Sequence, residues 1–594
     1  MTLQAAVVPA EQAGEAAHGP EAAGGEAPPV AVLRWFGLVW LTAFVILLAN
    51  QPGRMVFDTK LPVDLDPAAF LAGLWHLWDP LGSFGTLDNQ AIGYAVPMAP
   101  VYLAGQLAHV PVWITERLWM SLIIAAGFTG LVKLAAALGI GSRSSRLLAG
   151  LVFALWPTFT IVIGSTSAAV LPGMLAPWAV LPLVKAVHAG GAGRSGPLWP
   201  AARSGAVVLL MGGVNATSTL DALLLPGLFI VTYARGRRLV SLSLAWAAAV
   251  TAATAWWLLP LLLQGRYAFN FLPYVEQSAT TTGTASAAAT LRGAGNWVAY
   301  LNFGTPWLPA GWAVVTVPLA ILAAAAAAGC GLYGLSRRRM PAAAWLRLSA
   351  GIAAAIALAG YGGPLGGPFH GAVQHVLDGP LAPFRNVYKL EPVIAAALAL
   401  GVAHATARWL AAAPADSQPD RKALAIASRL VLGLMLVGLA VPYLSGRILN
   451  PGSFTAVPRY WYQVASYLAA HSARNAALVV PADAHGEYTW GDPIDDPLEA
   501  LGTSPWVAQG LVPYGGAGSQ LVLQTAENAI ESGEQVPGLG AYLQRAGIGY
   551  VVVRNDLDPL QVGYTPPAVV HQTLALSGFT RVATFGSAEI YAVA

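Results

Sequence analysis

Long apolar stretches recur along the whole chain, and they constrain its fold more than any other feature. Several run for about 18 or more residues, the length that an α-helix needs to cross a lipid bilayer. Hydrophobic residues make up 56% of the sequence and charged residues only 10%. This excludes a single soluble core, and the sequence predicts a polytopic α-helical membrane protein.

Lysine and arginine cluster between these stretches, as is typical of cytoplasmic loops. Five clusters are predicted to lie inside, at 143–146, 185–203, 235–238, 337–339 and 408–422. This arrangement predicts about eleven transmembrane helices, a cytoplasmic N-terminus and an extracytoplasmic C-terminus. The spans are predicted at 33–49, 113–139, 146–163, 167–187, 203–217, 218–234, 239–263, 311–334, 343–361, 389–410 and 425–444.

Two apolar regions admit a second interpretation. Gly212-Gly213-Val214-Asn215 lies between two predicted spans and could instead break a re-entrant hairpin. The stretch from Tyr94 to Leu107 is short and carries two prolines. Counting it as a span would place Arg143 outside, so it is predicted to lie along the outer leaflet as an interfacial helix.

The two ends of the chain differ from its middle. Residues 1–30 are rich in Ala, Glu, Gly and Pro and are predicted to form a disordered cytoplasmic tail. The transmembrane core is predicted at 31–448, with 50–112 as its first extracytoplasmic loop. From 449 to 594 polar residues increase and short β-branched runs replace long apolar ones, which predicts a small extracytoplasmic α/β domain. Strands are predicted in AALVVPAD, GIGYVVVRND and SAEIYAVA, and helices at 459–471, 520–532 and 538–546.

Ionisable residues concentrate in the loop 50–112: Asp58, Asp64, Asp66, Asp79, Asp88, Arg54 and Lys60. Carboxylates interleaved with aromatic residues beside a membrane fit a pocket for a polar group attached to a lipid, and an Asp can act as a general base. Any single Asp could equally cap a helix, as Asp66 before Pro67 and Asp79 before Pro80 are expected to do.

Three further loops are predicted on the outer face. The loop 264–310 is rich in hydroxyl, amide and aromatic side chains, which suit sugars and any wet loop alike. The loop 362–388 leads into PFRNVYKLEP, where Arg385, Lys389 and Glu391 crowd the start of a helix. The two cations could bind a lipid phosphate or anchor the helix at the membrane surface. The acidic segment GEYTWGDPIDDP, beyond residue 449, could hold carbohydrate or a cation.

Several classes of function have no support in the sequence. A net charge of +3 over 594 residues gives no reason to expect nucleic acid as a partner. Cys330 is the only cysteine, so no intrachain disulfide can form. The sequence has no zinc-type His/Cys spacing, no P-loop and no GxGxxG motif.

Three motifs carry a resemblance to a known family. They are QPGRMVFDTKL, DNQ followed by GYAVPMAP, and FRNVYKLEPV. They resemble the membrane core of the actinobacterial cell-wall α-(1→3)-arabinofuranosyltransferases, GT-C enzymes that use a polyprenyl-phosphate sugar donor. The similarity runs from about Trp35 to the C-terminus. Family members are much longer and continue into carbohydrate-binding modules and further helices.

The resemblance implies a plasma-membrane enzyme that transfers arabinofuranose from decaprenyl-phosphoryl arabinose to cell-wall arabinan, forming α-(1→3) branches at the outer face. The implied partners are this donor, the arabinan acceptor and membrane lipids. Asp58 is expected as the catalytic base and Asp88 as a second carboxylate. The residues expected to bind donor phosphate or substrate are Arg54, Lys60, Arg385, Lys389 and Glu391. The resemblance implies no particular cofactor, and a divalent cation is left open.

Two alternatives remain at this point. Another polyprenyl-phosphate-sugar transferase, such as a mannosyltransferase, would use the same architecture. A non-catalytic transporter of lipid-linked sugars, or a scaffold, is the alternative from a different class. A transporter should show internal repeats and ionisable residues at mid-membrane, whereas the charges here lie at the ends of the predicted helices.

Overall fold

The structure is a computed structural model of the 594-residue chain. It describes residues 29–58, 60–87, 91–188, 196–410, 419–472, 474–510, 515–561 and 563–593. Residues 1–28 of the predicted tail and Asp88 lie outside these ranges, so both predictions stay predictions.

Helices form most of the described chain up to Leu449. They are α1 Pro29–Leu48, α2 Leu61–Leu65, α3 Pro67–Gly73, α4 Met98–Leu107, α5 Val112–Ala137, α6 Arg143–Ala154, α7 Pro157–Thr160, α8 Ser167–His188, α9 Leu198–Leu209, α10 Ala216–Ala222, α11 Leu224–Tyr233, α12 Gly236–Tyr267, α13 Ser278–Gly283, α14 Ala287–Arg292, α15 Pro309–Thr316, α16 Pro318–Ser336, α17 Ala343–Ala359, α18 His370–Asp378, α19 Glu391–Thr406, α20 Pro419–Leu439 and α21 Val441–Leu444. Short 3₁₀ turns lie at Ala91–Tyr94, Leu272–Tyr274, Trp297–Tyr300, Ala382–Phe384 and Val387–Leu390.

The rest of the described chain is mixed. Its helices are α22 Arg459–His471, α23 Pro497–Leu501, α24 Ala517–Ile530, α25 Leu539–Arg545 and α26 Pro567–Leu576. Its strands are β3 Ala476–Val480, β4 Gly486–Tyr488, β5 Gly491–Ile494, β6 Trp506–Val507, β7 Ile548–Arg554, β8 Thr580–Phe585 and β9 Ala588–Ala592. Two earlier strands, β1 Trp78–Asp79 and β2 Thr86–Leu87, form a small hairpin in the loop 50–112.

The chain is a multi-pass membrane protein. Within the described residues, seven helices are long and apolar enough to cross a bilayer: Val112–Ala137, Ser167–His188, Ala216–Tyr233, Gly236–Tyr267, Pro318–Ser336, Val387–Thr406 and Lys422–Leu439. The shorter apolar helices Leu33–Leu48 and Ala343–Ala359 match two further predicted spans. Two predicted spans remain. The span 146–163 falls on α6 and α7, and the span 203–217 overlaps α9. Since α6 and α9 each have 12 residues, neither spans a full hydrocarbon core of roughly 30 Å alone.

Small residues let α16 and α19 pack with their backbones in contact. A Cβ atom at Gly334 would overlap the carbonyl oxygen of Gly401, and one at Gly401 would overlap that of Gly331. Close approach through small residues is typical of helix pairs in membranes, where lipid tails give no hydrophobic driving force for association. The Ala-rich sequence of α19 therefore reflects its position inside the bundle, where almost all of its residues are buried.

The predicted break at Gly212–Asn215 separates α9 from α10. Gly212 has a φ of +71°, which glycine adopts without strain, and the Asn215 side chain accepts a hydrogen bond from Ser218 N at 3.1 Å, which caps α10. The N–H of Gly213 donates to the carbonyl oxygen of Gly93 at 3.3 Å. The break therefore lies at the same end of the bundle as the loop 50–112.

A five-stranded sheet organises the C-terminal region, in the order β6-β3-β7-β9-β8. Strands β6, β3 and β7 are parallel, while β9 runs antiparallel to β7 and β8 antiparallel to β9. Helices α24, α25 and α26 cover one face of the sheet and α22 covers the other. Because both faces are covered, β3 is apolar at every position, as its run AALVV indicates. The three predicted strands are β3, β7 and β9, and the three predicted helices are α22, α24 and α25.

The loop 50–112 packs against this C-terminal region. Met55 and Phe454 exchange two backbone hydrogen bonds, of 2.7 and 3.0 Å. Met55 and Leu61 also belong to the hydrophobic core that lies between α22 and the sheet. The loop and the region after residue 449 thus share a core, and the division of the chain at 448 stays a prediction.

Candidate active site

Asp58 lies between α1 and α2 with only 1% of its surface exposed. Its Oδ1 accepts a hydrogen bond from the Ser167 N–H at 2.5 Å, and its Oδ2 accepts one from Ser167 Oγ at 2.6 Å. Ser167 is the first residue of α8, a helix long enough to cross the membrane. The carboxylate therefore lies at the positive end of a helix dipole, which stabilises a negative charge.

A third side chain fixes this pair. The indole Nε1–H of Trp119, on α5, donates to Ser167 Oγ at 2.8 Å. Burial raises the pKa of Asp58 to about 6, and the hydrogen bonds from Ser167 and the charge of Arg117 limit this rise. A carboxylate with this pKa is ionised at neutral pH and still basic enough to accept a proton.

Two further carboxylic acids lie close enough to Asp58 to interact with it electrostatically. Glu116, on α5, forms a buried ion pair with Arg117 and accepts a hydrogen bond from the Val56 N–H at 3.3 Å. Asp64, on α2, is buried, and its Oδ1 has no hydrogen-bond partner within the described residues. Burial, then the charges of Glu116 and Asp58, raise the pKa of Asp64 well above its usual value. The group thus contains three carboxylic acids, Asp58, Asp64 and Glu116, and one guanidinium, that of Arg117.

Tyr102, on the predicted interfacial helix α4, completes this group. Its hydroxyl is buried and, in the part of the chain that the structure describes, has no hydrogen-bond partner. Burial, then the charges of Asp64 and Asp58, raise the pKa of this hydroxyl well above its usual value. Tyr102 is therefore neutral and can donate a hydrogen bond to a bound molecule.

Arg54 and Lys60 were predicted to bind substrate, and in the structure they contact the C-terminal region. Arg54 is exposed, and its Nε donates to Ser453 Oγ at 2.7 Å. Lys60 Nζ lies 2.5 Å from Asp495 Oδ1, and the neighbouring Leu61 N–H donates to Asp495 Oδ2 at 2.7 Å. Asp495 thus binds the segment between Asp58 and α2.

A second polar centre joins the loops 264–310 and 362–388. Arg385 is 3% exposed, and its guanidinium donates to the Leu272 carbonyl at 2.9 Å and to Glu276 Oε1 at 3.4 Å. Asn386 Nδ2 donates to the same Glu276 oxygen at 2.9 Å. Lys389 Nζ donates to Thr217 Oγ1 at 2.9 Å, and its charge interacts with those of Asp221 and Glu276.

Glu391 starts α19 and is buried. Its Oε1 accepts a hydrogen bond from the Gly295 N–H at 2.9 Å. A Cβ atom at Gly295 would overlap this same oxygen, so a larger residue here would displace the Glu391 carboxylate. Glu391 thereby fixes the loop 264–310 at the start of α19.

The acidic segment GEYTWGDPIDDP, a candidate for carbohydrate or a cation, forms the hairpin β4–β5. The Tyr488 ring stacks on Trp490 with centroids 4.9 Å apart, and Tyr488 is buried in the core beside α22. The buried guanidinium of Arg554 pairs with Asp496 at 3.2 Å and with Asp483 at 3.0 Å. Within the described ranges, no group of three or more His, Cys, Asp or Glu residues is arranged to hold a metal ion.

Sequence reasoning missed several members of these centres. Glu276 is the only acidic residue in the loop 264–310, and this could have marked it as a candidate site residue. Glu116 and Arg117 form an ionisable pair at the start of an otherwise apolar run, which is also a recognisable sign of function. Ser167 gave no such signal, because a serine at the start of an apolar helix is typical of an ordinary N-terminal cap.

Comparison with known proteins finds a family and relatives that agree with one another. The sequence profile of the "Alpha-(1->3)-arabinofuranosyltransferase, N-terminal GT-C domain" family matches residues 42–592. The chain is 37% identical over 562 residues to an α-(1→3)-arabinofuranosyltransferase of Mycolicibacterium smegmatis, covering 92% of this chain and 39% of the relative. It is 34% identical over 570 residues to that of Mycobacterium tuberculosis, covering 93% of this chain and 40% of the relative.

A solved structure agrees with these relatives. The cryo-EM structure of arabinofuranosyltransferase AftD from mycobacteria superposes with a TM-score of 0.75 at 32% identity, covering 94% of this chain and 40% of that one. The chain thus spans about 40% of the length of the relatives that it matches.

Proposed function

The chain belongs to the GT-C α-(1→3)-arabinofuranosyltransferase family, and we therefore propose that it is a membrane glycosyltransferase that transfers arabinofuranose from decaprenyl-phosphoryl arabinose to arabinan, forming an α-(1→3) branch. The observation that carries the proposal is the buried Asp58 carboxylate held by Ser167 at the start of α8. Its pKa of about 6 suits a base that accepts the proton of a sugar hydroxyl near neutral pH.

In the proposed reaction the acceptor hydroxyl gives its proton to Asp58 while its oxygen forms a bond to the anomeric carbon of the donor sugar. The bond between that carbon and the phosphate oxygen breaks, and the polyprenyl phosphate leaves with the electron pair. Proton, sugar and phosphate are all accounted for, so the step needs neither an oxidant nor a reductant.

Asp64 takes the opposite role in this scheme. Because burial and the charges of Glu116 and Asp58 raise its pKa well above the usual range, Asp64 keeps its proton and donates a hydrogen bond to a sugar oxygen. Tyr102 is the second neutral donor of this centre. Asp88, which lies outside the described residues, is kept in the proposal as the carboxylate that positions the acceptor.

The departing phosphate needs a cation, and Lys389 fits this role better than Arg385. Lys389 makes one side-chain hydrogen bond, to a hydroxyl, whereas the Arg385 guanidinium is bound to a backbone carbonyl and to Glu276. Arg385 and Glu391 then hold the two loops in place. Arg54 and Lys60 fix the loop that carries Asp58 to the C-terminal region.

The test is incubation of the purified chain with labelled polyprenyl-phosphate arabinose and an oligoarabinoside, followed by linkage analysis of the product. Asp58→Asn keeps the size of the side chain and removes its basic charge, so turnover should fall by roughly two orders of magnitude. The thermal unfolding midpoint should stay close to that of the wild type.

Asp66→Asn is the matched control. Asp66 Oδ1 caps α3 by accepting from Ala69 N, and asparagine caps equally well. Near-normal turnover in the Asp58→Asn protein would refute the base assignment. Transfer of a sugar other than arabinose would assign the chain to a different polyprenyl-phosphate-sugar transferase.

A further inference from the structure

An open groove lies on the surface of the C-terminal region, between α22 and the edge strand β8. Its volume is about 430 Å³, and most of it is open to solvent. We call it the α22 groove, and it is lined by Arg459, Tyr462, Gln463, Ser466, Tyr467 and Phe585. None of the side chains used in the proposed reaction lines it.

Helix α22 has two different faces, which explains how the groove arises. Trp461, Val464 and Leu468 are buried against the sheet. Tyr462, Gln463 and Ser466 fall on the opposite face and are exposed. The burial of the apolar face places this polar and aromatic face beside the end of β8, where Phe585 closes the groove.

The aromatic floor of the groove is held in one orientation. The Tyr467 ring stacks on His471 with centroids 4.2 Å apart and an interplanar angle of 20°. Tyr467 also contacts Phe585 at 5.9 Å and the edge of Tyr550 at 6.2 Å. A ligand that packs on this floor therefore loses little affinity to the ordering of side chains.

The chemistry of the lining selects one class of ligand. It offers aromatic faces together with a guanidinium, an amide and a hydroxyl, which are hydrogen-bonding groups. It contains no carboxylate to attract a cation and no aliphatic side chain. A sugar ring matches it, because its C–H faces pack on aromatic rings while its hydroxyls form hydrogen bonds to polar groups.

We infer that the α22 groove binds a neutral oligosaccharide, a remote part of the acceptor chain, and this inference rests on the proposed function. Helix α22 packs against α23, and Asp495, just before α23, binds Lys60 and Leu61. Lys60 lies two residues after Asp58 in the chain. The groove is therefore tied to the catalytic loop through a chain of direct contacts.

The experiment measures binding without catalysis. An oligoarabinofuranoside is titrated into the purified chain in the absence of donor, and the affinity is measured by calorimetry and by saturation-transfer NMR. Tyr462→Ala combined with Gln463→Ala removes one aromatic face and one amide, and affinity should fall about tenfold or more. Leu521→Ala is the control, because Leu521 is exposed on α24 across the sheet and should leave affinity unchanged.

Three outcomes would overturn the inference: no binding by the wild type, equal affinity in the double variant, or loss of affinity in the control as well. Self-association that the double variant abolishes, without sugar binding, would assign the surface to protein contacts and overturn it too. If the chain binds the oligosaccharide through Tyr462 but transfers no arabinose, the proposed function fails and the groove remains a sugar site.

Discussion

Among single side chains, the pair Asp58 and Ser167 is central to the proposed chemistry. Ser167 contributes both its N–H and its hydroxyl to one carboxylate, and both hydrogen bonds favour the ionised form. Burial acts in the opposite direction and is the larger influence on the pKa. The balance leaves a carboxyl group whose pKa is about 6.

The pH profile should report this balance. Because Asp58 must be ionised to accept a proton, kcat/KM should fall as the pH drops through about 6. Ser167→Ala removes one hydrogen bond to the carboxylate, so the pKa rises and the acid limb should move towards higher pH by roughly one unit. Ser167→Thr keeps the hydroxyl and should leave the limb in place. An unchanged limb in Ser167→Ala would show that Asp58 is not the titrating group.

At the scale of single elements, the segment that leads into α19 carries two cations, Arg385 and Lys389. Their surroundings differ although only three residues separate them. Arg385→Ala removes the hydrogen bonds to the Leu272 carbonyl and to Glu276, which keeps its contact with Asn386, and should destabilise the protein by about 2 kcal/mol, seen as a lower unfolding midpoint in detergent. Lys389→Ala should instead weaken donor use by roughly tenfold or more with a smaller change in midpoint.

Arg338→Ala is the control for both variants, because Arg338 is exposed in a predicted cytoplasmic loop. Unfolding midpoints and the KM for donor separate the two effects. Loss of donor affinity in Arg385→Ala with an unchanged midpoint would exchange the two roles.

The helices and several strands were predictable from local patterns. Apolar runs located the long helices α5, α8 and α12 to within a few residues, because each run lies within one helix. The predicted span 146–163 instead covers the two short helices α6 and α7. The runs in β3, β7 and β9 are β-branched and end in turn residues, which predicts strands. Strand β6 has two residues and β8 is mostly exposed, so neither has an apolar pattern to read.

The site was predictable only in part. Asp58 could be singled out as a candidate from its position just after a predicted span and within the motif QPGRMVFDTKL. Its partner Ser167 lies 109 residues away, and Asp495 lies 435 residues from Lys60, so only the tertiary fold brings these pairs together. The raised pKa of Asp64 was equally hidden, because it follows from burial beside Glu116 and Asp58.

Across the whole chain, topology can be tested directly. In a Cys330→Ala background, Phe303→Cys in the loop 264–310 should react with a membrane-impermeant maleimide on intact cells, because Phe303 is exposed on the predicted outer face. Arg338→Cys should react only after lysis. The reverse pattern would contradict the orientation.

The contact between the catalytic loop and the C-terminal region is a second property of the whole chain. Asp495, whose side chain is 3% exposed, binds both Lys60 and Leu61. Asp495→Ala leaves the Leu61 N–H without this partner and should lower both the unfolding midpoint and turnover, the latter by about tenfold. Glu499→Ala is the matched control: its contact with Lys60 is longer, at 3.5 Å, and more exposed, so its effect should be below about 0.5 kcal/mol. Equal effects of the two variants would show that Asp495 does not hold the loop.

The same contact has a consequence for how the protein is made. Lys60 leaves the ribosome 435 residues before Asp495, an interval of roughly 20–90 s at ordinary rates of synthesis. During that interval the nascent chain already carries the Asp58 segment but has not yet produced the residues that hold it. The Asp58 segment therefore lacks its contact with Asp495 until synthesis has passed that residue, and it can reach its final arrangement only after almost the whole chain has been made.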